Sequence, residues 1–239
     1  MGKCSYRPKN PFRTALALWR VVKDSEDAGA NIEEAVIVLF AFNRSRWGRK
    51  IARWDLLAQE VGQSSAEAKQ LMQNRVRLPE VDLQALAALP IGSVGRTFAA
   101  VAAERDIDPN LVEKMPAETD ADWLMAYSYE TRDLRHLMTG FYYDLEGQFG
   151  VAGFCMGQMP KLSFIAFFTA ILVFKIIWHD RDALAACTRA FVDGYEMGRQ
   201  ARCLVGVDSA SVYAHDLDAL RVDWGARSAD NFPALSRAA

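Results

Sequence analysis

Residues 131–157 read TRDLRHLMTGFYYDLEGQFGVAGFCMG. Arg132, Asp133 and His136 stand at i, i+1 and i+4, and residues three or four apart share one side of a helix. The Thr139-Gly140 pair supplies a stop, because glycine readily takes the left-handed conformation that ends helices. Asp144 reads as the N-cap of a second helix, and the turn between the two brings Gln148 back towards His136. Along that second helix Gly147, Gly150, Gly153 and Gly157 recur at three, three and four, a stripe without side chains. Each glycine costs roughly 1 kcal/mol of helix propensity against alanine. Tertiary contact must offset that cost, either a second helix packed very closely or a ligand chain lying in the groove.

The same helical logic runs outward. No proline falls between Pro11 and Pro79 or between Pro160 and Pro233, and apolar residues recur at three and four rather than two. Asn10-Pro11 opens a helix over 12–22, and a second spans 31–42. Ser64 with Glu67 predicts a capping box ahead of 68–75. Pro90 and Gly92 make a turn, after which Ser93 caps 94–105. Thr119 with Asp122 opens the helix that carries Asp133 and His136. His179-Asp180 and His215-Asp216 read as helix openings, since acids there cap N–H groups and complement the dipole. The apolar run 162–178, with Lys175 inside it, is shorter than a bilayer requires and reads as a buried helix. The expectation is one all-α domain over 11–226, a multi-helix bundle, flanked by tails at 1–10 and 227–239.

Composition bounds the function. The chain has 239 residues, 51% hydrophobic and 24% charged, ordinary for a globular protein. A net charge of -2 gives no whole-molecule attraction to nucleic acid. The four cysteines form no C-x-x-C pair, and no apolar leader opens the chain, so a cytoplasmic protein with reduced thiols is expected. Residues 43–54, NRSRWGRKIARW, hold five basic residues, two tryptophans and no acid. That pattern suits an anionic membrane surface or, equally, a solvated helix face. No nucleophile elbow, phosphate loop or nucleotide fingerprint is present.

The central stretch resembles the ubiquinone (coenzyme Q) biosynthesis family best known for the fourth coenzyme-Q protein of mitochondria. That family carries His-Asp-x-x-His and a following Glu in a context like H-x-L-T-G-x-x-x-D-x-x-G-E. Here His136, Thr139-Gly140, Asp144 and Gly147 keep the context, while Arg132 replaces the first His and Gln148 the Glu. Residues 89–98, LPIGSVGRTF, resemble a second hallmark, L-P-x-G-T-L-G-x-x-Y. Tyr195, Gly198 and Arg199 resemble a third, Y-x-x-G-R. The likeness covers residues 10–225. It implies an all-helical fold with an apolar tunnel for prenylated quinone precursors, a place beside other enzymes of the pathway, and peripheral attachment to the inner membrane face as a homodimer.

The resemblance also implies a metal, held by the His, Asp, His and Glu set next to the precursor ring, for oxidative removal of its carboxyl group. Asp133, His136 and Gln148 are the residues here that match ligand positions. A guanidinium has no lone pair to give, and Gln148 offers a neutral carbonyl in place of a carboxylate. Two good ligands remain where a stable zinc site wants at least three. The expectation is therefore no tightly bound cofactor, with zinc or another divalent ion at low occupancy left open. Asp133 and His136 stay candidates for proton transfer. Arg132 is the candidate contact for an anionic headgroup, such as a ring carboxylate or a prenyl phosphate, or else pairs with Asp133 at the surface. Gly147, Gly150, Gly153 and Gly157, with the aromatic residues around them, are the candidate tail groove. A lipid-binding accessory or scaffold protein ranks ahead of an active decarboxylase, and a binding protein of another isoprenoid pathway is the third reading.

Overall fold

Side-chain caps set where several of the described helices begin. The computed structural model describes residues 53–64, 66–110, 114–115, 117–159, 181–205 and 207–226, with Thr169, Val173 and Ile177 singly. The tails, the helices expected over 12–22 and 31–42, most of the basic segment, nearly all of the apolar run 162–178 and His179-Asp180 lie outside the described residues. Among those described, nine α-helices are present: α1 (Trp54–Ser64), α2 (Ala66–Gln73), α3 (Leu83–Ala87), α4 (Val94–Glu104), α5 (Asp120–Glu130), α6 (Arg132–Thr139), α7 (Leu145–Gln158), α8 (Leu184–Gln200, after a 3-10 turn at Arg181–Ala183) and α9 (Leu217–Asp223). No strand occurs among them.

The Ser93, Asp144 and Asp216 side chains cap α4, α7 and α9 by accepting from the N–H groups of Arg96, Gly147 and Ala219. Thr119 and Asp122 form the full capping box of α5. Two expectations change. Ser64 ends α1 rather than opening the next helix, which starts at Ala66. The helix begun at Thr119 does not run through to His136. It stops at Thr131, whose φ/ψ of -96/12 leave the helical region, and the Thr131 hydroxyl turns back onto the Tyr127 carbonyl at 2.8 Å. Arg132 and Asp133 therefore occupy the first turn of a separate helix.

One hydrophobic core runs from Leu57 in α1 to Ala226 after α9, with Trp123, Leu124, Leu137, Met138 and Phe154 at its centre, so the described helices form one domain. The α7 and α8 helices make the most extensive contact. A Cβ on Gly153 would strike the Phe191 carbonyl, and one on Gly157 the Tyr195 carbonyl. In return, Gly194 and Gly198 of α8 meet the carbonyls of Gly150 and Phe154. Residues 150 and 154 thus face 194 and 198 in the same order, so the helices cross parallel, backbone to backbone. The groove expected along the glycine stripe is filled by protein. Gly147 faces the Tyr142 backbone and Gly150 the Phe141 ring. Close packing accounts for all four glycines.

A second tie holds the LPIGSVGRTF segment. Gly92, at φ 83, makes the expected turn. Val94 and Gly95 N–H then donate to the His215 and Tyr213 carbonyls at 2.9 and 2.8 Å, and Leu217 N–H donates to Gly92.

Candidate functional site

The α6–α7 turn places the motif. Gly140, at φ 71, ends α6, and its N–H donates to the His136 carbonyl. The chain reverses through Phe141-Tyr142-Tyr143 and restarts at Asp144. Gln148 then lies back over His136, its Nε2 3.4 Å from the imidazole Nε2.

His136 is fully buried. Its Nδ1 lies 2.9 Å from the Phe141 carbonyl, which can only accept, so Nδ1 carries the proton and Nε2 presents its lone pair to the Gln148 amide. The Tyr143 ring stacks on the imidazole at 4.2 Å. Burial, and after it the Arg132 charge, push the histidine down to about 4. The ring is neutral at physiological pH, with both nitrogens engaged.

Arg132 and Asp133 are less settled. Their closest approach is 3.6 Å, with the side chains 32% and 21% exposed, a loose pair that contributes little. The Arg132 guanidinium lies over the Tyr129 ring at 5.8 Å. Five buried side-chain polar atoms among the described residues have no hydrogen-bond partner. They are Ser128 Oγ, Arg132 Nε, Asp133 Oδ1 and both Nε and Nη2 of Arg135, all within eight positions of one another. Arg135 is 4% exposed and donates only to the Ser128 carbonyl, at 2.6 Å.

Asp133 also borders a cavity of about 30 Å3 shared with Glu130, Ser209, Tyr213 and Leu137. That space suits a water or two and is too small for an aromatic ring. Burial, then the Asp133 charge, hold Tyr213 up at about 12 and Tyr143 well above its ordinary value, so both phenols stay protonated.

Sequence reading singles out Arg132, Asp133, His136 and Gln148, of which the structure sets Gln148 against His136 and Arg132 beside Asp133. It misses the arginines that support them. Arg77 makes a bidentate pair with Glu130 and donates to the Met115 carbonyl at 2.8 Å, fixing the end of α5. Arg221 closes the end of α6 through the Leu137 carbonyl at 2.6 Å. Arg221, on the buried face of α9 beside Leu217 and Leu220, carried an available signal, whereas Arg77 lies in the loop after α2, where no periodicity marks it. His215 and Asp216 serve as the α9 opening, as expected.

The family metal does not fit this donor set. Arg132 supplies no lone pair, and the His136 lone pair is taken by Gln148. Asp133 alone remains free of a hydrogen bond at its Oδ1. Among the described residues no group of three or more His, Cys, Asp or Glu side chains could hold a metal ion. Nor is any helix among them long and apolar enough to cross a membrane.

The crystal structure of a candidate ubiquinone biosynthesis protein from Nostoc punctiforme is similar to this fold. The TM-score is 0.69 at 20% identity, over 92% of this chain and all of that one. No curated protein matches the chain. The family model described as "Coenzyme Q (ubiquinone) biosynthesis protein Coq4" matches residues 56–230, well over half of the sequence, and the chain belongs to that coenzyme Q biosynthesis family.

Proposed function

We propose that the chain is a prenyl-lipid-binding accessory protein of coenzyme Q biosynthesis, which holds a prenylated ring precursor for the other enzymes of the pathway at the inner face of the membrane. One observation carries the reading. Unmet hydrogen-bonding capacity is rare in folded proteins and marks functional positions, and here it gathers at Ser128, Arg132, Asp133 and Arg135. A headgroup with a carboxylate or phosphate would satisfy the guanidinium donors. The tail has no place along the glycine stripe. The apolar run 162–178 is the stretch of sequence best suited to line its path, and residues 43–54 suit an anionic bilayer. A homodimer is part of the same reading. Proton transfer by His136 is disfavoured, because both its nitrogens are engaged and its ring is sealed.

Flotation on anionic vesicles carrying a prenylated aromatic acid, followed by native mass spectrometry, tests both parts. Docking should fall with salt as the attraction is screened. Loss of one charge-assisted contact should weaken retention of the acid about tenfold or more in Arg132→Met. Undiminished retention by a folded Arg132→Met protein would refute the headgroup assignment.

A further inference from the structure

We propose that this chain has exchanged the divalent metal of its family for an internal cation, and that Arg132 and Gln148 are the two coupled substitutions that remove the need for the metal. The first argument is the histidine tautomer. The Phe141 carbonyl, 2.9 Å from Nδ1, obliges that nitrogen to carry the proton. The Nε2 lone pair then points at residue 148, 3.4 Å away. A carboxylate there would set lone pair against lone pair, an arrangement that needs a cation between them. The Gln148 amide turns an N–H into the same space, and the requirement disappears.

The second argument is charge. Two carboxylates and two neutral imidazoles are balanced by a divalent ion. Here one carboxylate, Asp133, faces one guanidinium at 3.6 Å, with His136 and Gln148 neutral. Both arrangements sum to zero. Reverting Arg132 alone would leave Asp133 without a counter-charge, and reverting Gln148 alone would place a carboxylate against the imidazole lone pair. The two changes together rebuild the full set of four ligands with no arginine charge beside it. This inference concerns the resident group and holds whether or not a lipid binds.

The test uses the full chain, Arg132→His, Gln148→Glu, the double variant, and the double variant with Asp133→Ala. Zinc is titrated against a chromophoric chelator, and melting is followed in EDTA and in zinc. Wild type should melt identically in both, and each single variant, with three ligands beside a remaining Arg132 or Gln148, should bind zinc more weakly than the double variant. Losing an outer-shell partner of a metal ligand costs about 10–100-fold in affinity. Restoring two ligands should therefore tighten binding at least about 100-fold in the double variant, with melting raised by zinc and the gain erased by Asp133→Ala. A double variant with wild-type helical signal that binds zinc no better than wild type overturns the proposal. So does one equivalent of zinc in the wild-type protein that Asp133→Ala releases. Should the double variant not fold, that wild-type comparison decides alone.

Discussion

At the scale of single residues, His136 makes the fold sensitive to acid. Its folded value lies at about 4 against roughly 6.5 in an unfolded chain. Above pH 6.5 both states hold it neutral and it contributes no pH dependence. As pH falls below 6.5 the unfolded chain takes up the proton while the folded ring refuses it, so stability is lost until the folded value is reached. The full span amounts to roughly 3 kcal/mol, about 2 of them by pH 5. Urea unfolding at pH 7 and pH 5 measures the difference. His136→Gln, which cannot take the proton, should be less stable at pH 7, because the bond to Phe141 is disturbed, and should lose about 2 kcal/mol less between the two pH values. Equal losses in the two proteins would show that the imidazole is not buried as described.

At the scale of helices, the decisive contact is backbone against backbone. Gly153→Ala would gain roughly 1 kcal/mol of helix propensity, yet its Cβ collides with the Phe191 carbonyl, which α8 holds rigid. Overpacking of that kind costs about 1–3 kcal/mol or more, so the collision wins and the variant should be destabilised. Gly62→Ala is the contrast. Its Cβ meets only the mobile end of Met72, and a gain of up to about 1 kcal/mol is expected. Chemical denaturation separates the two, and a stable Gly153→Ala protein would reopen the stripe as a groove. Here too lies the boundary of what the sequence reveals. The caps at Ser93, Thr119, Asp144 and Asp216 were legible because a cap is a contact between residues two or three apart. The return of Gln148 to His136 was legible because Gly140 and Asp144 fix the turn locally. The stripe announced close contact but not with what, since its partners, Phe191, Gly194 and Gly198, lie some forty positions away. The break at Thr131 was invisible for a different reason. Thr131 reads in sequence as an ordinary helix residue, and its break, where the hydroxyl turns back onto the Tyr127 carbonyl, is accompanied by the long-range hold of Arg77 on Glu130.

At the scale of the molecule, the site depends on the far end of the chain. Arg221 is 8% exposed and reaches back across more than eighty positions to the last turn of α6. Its Nη2 donates to Leu137 at 2.6 Å and its Nε to Met138 at 3.3 Å. The carbonyls at a helix end have no partner within the helix, and a cation there also answers the negative end of the dipole. The arginine therefore completes the helix that carries Asp133 and His136. Arg221→Met keeps most of the packing but leaves both carbonyls buried and unpaired, at about 1–3 kcal/mol each, so a loss of roughly 2–6 kcal/mol is expected. Lysine brings back the charge without the planar fork, and Arg221→Lys should fall between. Asp218, which accepts from the same guanidinium at 2.9 Å, is 87% exposed, and pairs of that kind contribute at most about 1 kcal/mol. Asp218→Ala should consequently lie close to wild type. If Asp218→Ala proved as damaging as Arg221→Met, the surface ion pair would be holding α9 in place, and the end of α6 would owe its stability to something other than this arginine.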